Sequence, residues 1–106
     1  MGDWENSVGV ELINSAANGT VSEYDHLITK HSKSGRAQAY RREAFLCFTE
    51  ATNLGSEKGA YNLGICYEQG IGTAADVNKV YNSFFYCNVI HTDQDTLWVY
   101  LGHRML

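Results

Sequence analysis

The chain has 106 residues, 44% of them apolar, no proline, and a formal charge of -4 at pH 7. That length fits one domain, which buries roughly 60–68% of the surface its unfolded form exposes. The acidic balance weighs against a nucleic-acid-binding face, which needs a clustered basic surplus, and no apolar run approaches the roughly 20 residues that cross a bilayer.

The N-terminal MGDWENSVG begins acidic, with no basic region leading into an apolar run, so no signal peptide is expected. Asp3 is placed to cap a helix over Trp4 to Ala17, with Val8, Leu12 and Ala16 on one stripe and Trp4 at its head. Gly9 weakens that helix by up to about 1 kcal/mol, and Asn18-Gly19 ends it. Thr20, with Glu23 three residues on, predicts a capping box and a helix carrying Tyr24, Leu27, Ile28 and His31 at helical spacing. Lys30 to Gly35 reads as a helix end and loop, its basic residues a solvated cap and not a phosphate site.

The following helix is expected from near Gln38 to Asn53, burying Ala44, Phe45, Phe48 and Ala51 and exposing Arg41, Arg42 and Glu43. Gly55 suits the C′ position and Ser56 the next N-cap, opening a helix that buries Ala60, Leu63, Gly64 and Tyr67. Gly64 in a helix interior predicts close approach of a neighbouring helix. Gly70-Ile71-Gly72 follows a helix, not a strand, and lacks the Lys-Ser/Thr of a phosphate loop, so it is read as a turn. Asp76 caps a helix from Val77 to about Ile90, where Tyr81, Phe84, Phe85 and Tyr86 exceed what one stripe can bury. Thr92 with Asp95 starts a last helix over Thr96 to Leu106.

These positions recur. At an offset of 36, Ala44, Phe45, Phe48 and Ala51 become Val80, Tyr81, Phe84 and Cys87; at 38, Ala60, Leu63, Gly64 and Tyr67 become Trp98, Leu101, Gly102 and Met105. Tyr24, Leu27, Ile28 and His31 precede the second set by 36 as a degenerate copy. A helix-turn-helix period in the thirties marks units that hide their apolar faces by stacking. The expected fold is all-α, a short alpha-solenoid of about three antiparallel helical hairpins over residues 3–34, 36–70 and 76–106.

The run from Ala44 to Asp76, with Leu63-Gly64, Tyr67, Gly70-Ile71-Gly72, Asp76 and Lys79-Val80, resembles the Sel1-like repeat, a relative of the tetratricopeptide repeat. The sequence departs from that family at Gly59, where Ala is usual, at Val80, and at Met105, which stands in place of a Tyr. The resemblance covers residues 40–105 at most. It implies stacked hairpins with a concave face that recognises protein.

The residues with reactive side chains do not assemble into a convincing catalytic set. Cys47, Cys66 and Cys87 lie within helical patterns where Cys behaves as a small hydrophobe. Their odd number and the absent signal favour free thiols in a cytoplasmic setting, with a Cys47–Cys66 bridge as the exception. Cys87 and His91 share a helical face but lack an orienting third group. His91, Asp93 and Asp95 are better explained by helix capping than by a metal. No enzyme, cofactor or metal is therefore expected.

The preferred reading is a non-catalytic adaptor that binds a peptide or protein surface on the concave face. Positions related by 36 pair Arg42 with Asn78, Leu46 with Asn82 and Glu50 with Tyr86, so Arg42, Leu46, Asn82 and Tyr86 are the candidate binding residues. The alternative is a self-assembling structural or inhibitory module, a homo-oligomer that docks through terminal hairpins at Trp98 and Met105.

Overall fold

A computed structural model describes residues 1–28 and 35–91, with side chains through Phe85. The basic loop at 30–34, the last helix, and Trp98 and Met105 lie outside the described residues. Four α-helices and one 3₁₀ turn are present, with no strand among the described residues: α1 (Asp3–Asn18), the turn Asp25–Leu27, α2 (Arg36–Asn53), α3 (Glu57–Gln69) and α4 (Val77–His91).

α1 buries Val8, Leu12 and Ala16 as the spacing requires, together with Asn6, Gly9 and Ser15. Asp3 is not its cap. Gly2 takes that place at φ 88, and Asp3 and Glu5 occupy the first turn, where acidic groups oppose the positive end of the helix dipole. A side chain at residue 2 would lie 2.6 Å from the Ala51 carbonyl oxygen, so only glycine lets this end seat on α2. Trp4 is 61% exposed and stands edge-on to Tyr24 at 6.3 Å, outside the core stripe. Gly19 ends the helix at φ 70, its N–H donating to the Ser15 carbonyl.

The helix expected from Thr20 does not form over residues 20–28. Ser22 takes over the local backbone bonding: its Oγ accepts from Tyr24 N at 3.0 Å, its carbonyl accepts from Asp25 N, and its own N–H donates to the Tyr40 hydroxyl at 3.1 Å. Short polar side chains offer the backbone such alternatives to a helix, and the long-range bond from α2 favours this one. Tyr24, Leu27 and Ile28 still pack against the core, from a turn and not from a helical face.

α2 starts at Arg36, two residues before Gln38, and buries Tyr40, Ala44, Cys47, Phe48 and Ala51. Phe45 is only half-buried, its ring edge-on to Tyr67 at 5.4 Å. Gly55 adopts φ 94 just beyond α2, and Ser56 Oγ accepts from Gly59 N at 2.9 Å. The α2–α3 hairpin thus has the caps its sequence calls for. Gly59 is required here because a Cβ would meet that of Ala51 at 2.6 Å. Asp76 caps α4 by accepting from Asn78 N and Lys79 N at 3.1 and 3.3 Å.

α1 packs along α2 and α3 along α4, with α2 and α3 sharing a smaller seam. Val8, Leu12, Ala16, Tyr40, Ala44, Cys47, Phe48, Leu63 and Cys66 form one core. The two larger seams are built alike. A Cβ on Gly9 would lie 2.5 Å from Phe48 Cε1, and a Cβ on Gly64 would lie 2.5 Å from Phe84 Cε1. Each glycine therefore admits a phenylalanine ring from the next helix against its backbone. In this role α1 is the counterpart of α3, and Val8-Gly9 with Leu12 echoes Leu63-Gly64 with Tyr67.

Candidate protein-binding cleft

α2 and α4 form the walls of a hollow of about 390 Å³, with α3 as its floor. Thr49, Thr52 and Asn53 line one wall, Lys79, Asn82 and Ser83 the other, and Leu63 and Tyr67 lie beneath. Thr49 and Thr52 donate their hydroxyls to the Phe45 and Phe48 carbonyls at 2.9 and 2.7 Å, which leaves their oxygen lone pairs to face a ligand. Asn53 and Asn82 are exposed and bring both amide donors and carbonyl acceptors. Among the described residues Lys79 is the one charged residue of the lining, and its Nζ sits 5.5 Å from the centre of the Tyr67 ring. That cation–π contact holds the lysine over the floor. The cleft is suited to hydrogen-bonding an extended chain over an aromatic base.

Of the residues expected from the offset of 36, Asn82 lines this cleft. Leu46 is 51% exposed on α2 but is not in the lining. Arg42 lines a separate hollow with Gln38, Arg41, Gly70, Gly72 and Thr73. The Tyr86 side chain lies outside the described residues. The reason for the mismatch is geometric: repeat-equivalent residues point the same way, whereas the walls of a cleft face each other. Thr49, Thr52 and Asn53 were missed on that account. The signal that finds them is the flank of α2 facing Lys79, Asn82 and Ser83.

Cys47 and Cys66 are free and buried. Burial pushes each thiol up to about 11, with Glu43, Glu50 and Glu5 adding to the effect at Cys47, so neither is a poised nucleophile. The side chains of Cys87 and His91 lie outside the described residues, as do Asp93 and Asp95. Among the described residues no group of three His, Cys, Asp or Glu side chains is placed to hold a metal ion, and no helix is long and apolar enough to cross a membrane. Comparison with family models, curated proteins and solved structures finds no match to this chain.

Proposed function

We propose that the chain is a non-catalytic recognition module, a short Sel1-like solenoid that holds a protein or peptide in the α2–α4 cleft. The observation that carries the reading is the cleft itself, where two polar walls meet over an aromatic floor. The matched Gly9–Phe48 and Gly64–Phe84 seams support the solenoid part, since they repeat one packing device along the chain. Buried free thiols suit the cytoplasmic setting proposed with it. The test is capture of partners from a native extract, followed by calorimetry with the captured protein. Asn53→Ala with Asn82→Ala is expected to weaken binding about tenfold while the fold is kept. A partner whose affinity ignores both changes would remove the cleft from the proposal.

A second reading, self-assembly, has one observation in its favour. Tyr61, Val77 and Tyr81 are 53%, 66% and 61% exposed on α3 and α4, the last two described helices, while the expected assembly positions Trp98 and Met105 lie outside the described residues. A solution mass that rises with concentration and falls on Tyr81→Lys would support it; a constant monomer mass would end it.

A further inference from the structure

We infer that the hollow beside the first half of α2 seats an acidic peptide segment of a partner protein, its carboxylates held by Arg41 and Arg42. The inference extends the recognition reading, on which it rests, by fixing the charge of the partner. The hollow measures about 320 Å³ and lies between Gln38, Arg41 and Arg42 on α2 and Gly70, Gly72 and Thr73 in the α3–α4 loop. Its loop wall is seated on the helix. Gly72 has φ 72, and a Cβ there would fall 2.3 Å from the Arg41 carbonyl oxygen and 2.8 Å from Phe45 Cβ, so the loop rests directly on the α2 backbone.

The charge of this hollow is uncompensated. Among the described residues no Asp or Glu lines it, and none stands three or four residues from Arg41 or Arg42 along the helix, where an acid would neutralise them. Both arginines are exposed, and among the described residues neither is in an ion pair. In a chain of charge -4 this is a local basic pair, and with a screening length of about 8 Å at physiological salt the local charge outweighs the net one. Guanidinium groups match carboxylates in planar two-point contacts. Gln38 and Thr73 add neutral donors for the peptide backbone. A phosphate cradle would use backbone N–H groups of the loop, yet those of Gly70 and Ile71 are both given to the Cys66 carbonyl. The start of the loop thus offers no N–H cradle, and the charged donors that line the hollow are the two guanidinium groups, which a pair of carboxylate side chains would meet.

The experiment is fluorescence anisotropy of a labelled hexaglutamate peptide with the whole chain, at low and at physiological salt. Arg41→Gln with Arg42→Gln should weaken binding about tenfold without altering the circular dichroism spectrum, because both side chains are exposed. Lys58→Glu shifts the net charge equally on another surface and should change affinity less than about twofold. No binding, an intact affinity in the double variant, or an equal loss in Lys58→Glu would overturn the assignment. So would displacement of the peptide by inorganic phosphate at concentrations where acetate has no effect, which would make the hollow a phosphate seat. Asn82→Ala, a change outside this hollow, locates the peptide: its silence beside a loss in the arginine variant puts hexaglutamate here and leaves the α2–α4 cleft to its own test, whereas a loss in Asn82→Ala with the arginine variant silent would put the peptide in that cleft and overturn this assignment.

Discussion

Tyr40 is the residue through which the non-helical segment 20–28 is fastened. Its ring is fully buried on α2, and its hydroxyl accepts from Ser22 N and donates to the Asp25 carboxylate. Burial raises its pKa first, and the hydrogen bond to Asp25 adds to that. Tyr40→Phe keeps the ring and strands the buried Ser22 N–H, so a loss of about 1–3 kcal/mol is expected in urea denaturation. Faster hydrogen exchange at Ser22 in that variant would locate the loss in the turn; unchanged exchange there would refute the fastening role. Substitution of Glu43 is expected to act on stability in the opposite direction. Its carboxyl is raised by partial burial and by the nearby Glu50. A raised acid favours the protonated folded state, so its contribution is full below the ordinary value of 4.5 and is lost as pH rises through the folded value. Glu43→Gln should therefore gain a few tenths of a kcal/mol at pH 7 and nothing near pH 4, roughly the scale of exposed charge pairs. Equal gains at both pH values would point to a cause other than charge.

Among the elements, the informative case is a pair of glycines that sequence alone reads differently. Gly64 announced close packing because it recurs as Gly102, while Gly9 looked like a flaw in its helix. Both perform the same task, admitting Phe84 and Phe48. By propensity, Gly→Ala in a helix gains about 1 kcal/mol. Against that stands a Cβ placed 2.5 Å from a ring carbon, and Phe48 is 3% exposed with little room to retreat. Overpacking of this kind costs typically about 1–3 kcal/mol, so Gly9→Ala and Gly64→Ala should each destabilise on balance. Stabilisation of both in thermal melts would show that the rings yield freely. From α2 to the start of α4 the helix ends were legible because Gly55, Ser56, Gly70 and Asp76 state them locally, whereas at α1 the cap read at Asp3 falls to Gly2. The Thr20 helix was misread because its rival is a bond from Tyr40, 18 residues away along the chain. The cleft was half legible. Asn82 followed from the repeat, but Thr49 and Asn53 depend on how α2 turns toward α4, which no periodicity encodes.

At the scale of the whole molecule, one core draws on three helices, and it contains three groups that must stay protonated. Cys47 and Tyr40 come from α2 and Cys66 from α3, joined in a single cluster with Val8 and Leu12 of α1. Because the cluster joins α1, α2 and α3, ionising any of the three acts on the unfolding of that whole unit more than on local fraying. The two thiols are raised by burial from 9.0 to about 11, and Tyr40 is raised from 10.0. For a group raised on folding, stability is complete below the unfolded value and falls as pH climbs to the folded one. The protein should hold its stability up to about pH 9 and lose it progressively toward pH 11, by on the order of 2 kcal/mol for each thiol. Urea denaturation under reductant at pH 8, 9.5 and 10.5 reads this directly. Cys47→Ala with Cys66→Ala starts from lower stability because it leaves cavities, yet its curve against pH should be the flatter one, with the remaining slope set by Tyr40. Parallel curves for the two proteins would mean that the thiols reach solvent before unfolding, and the core would then be less tightly closed around Cys47 and Cys66 than their burial implies.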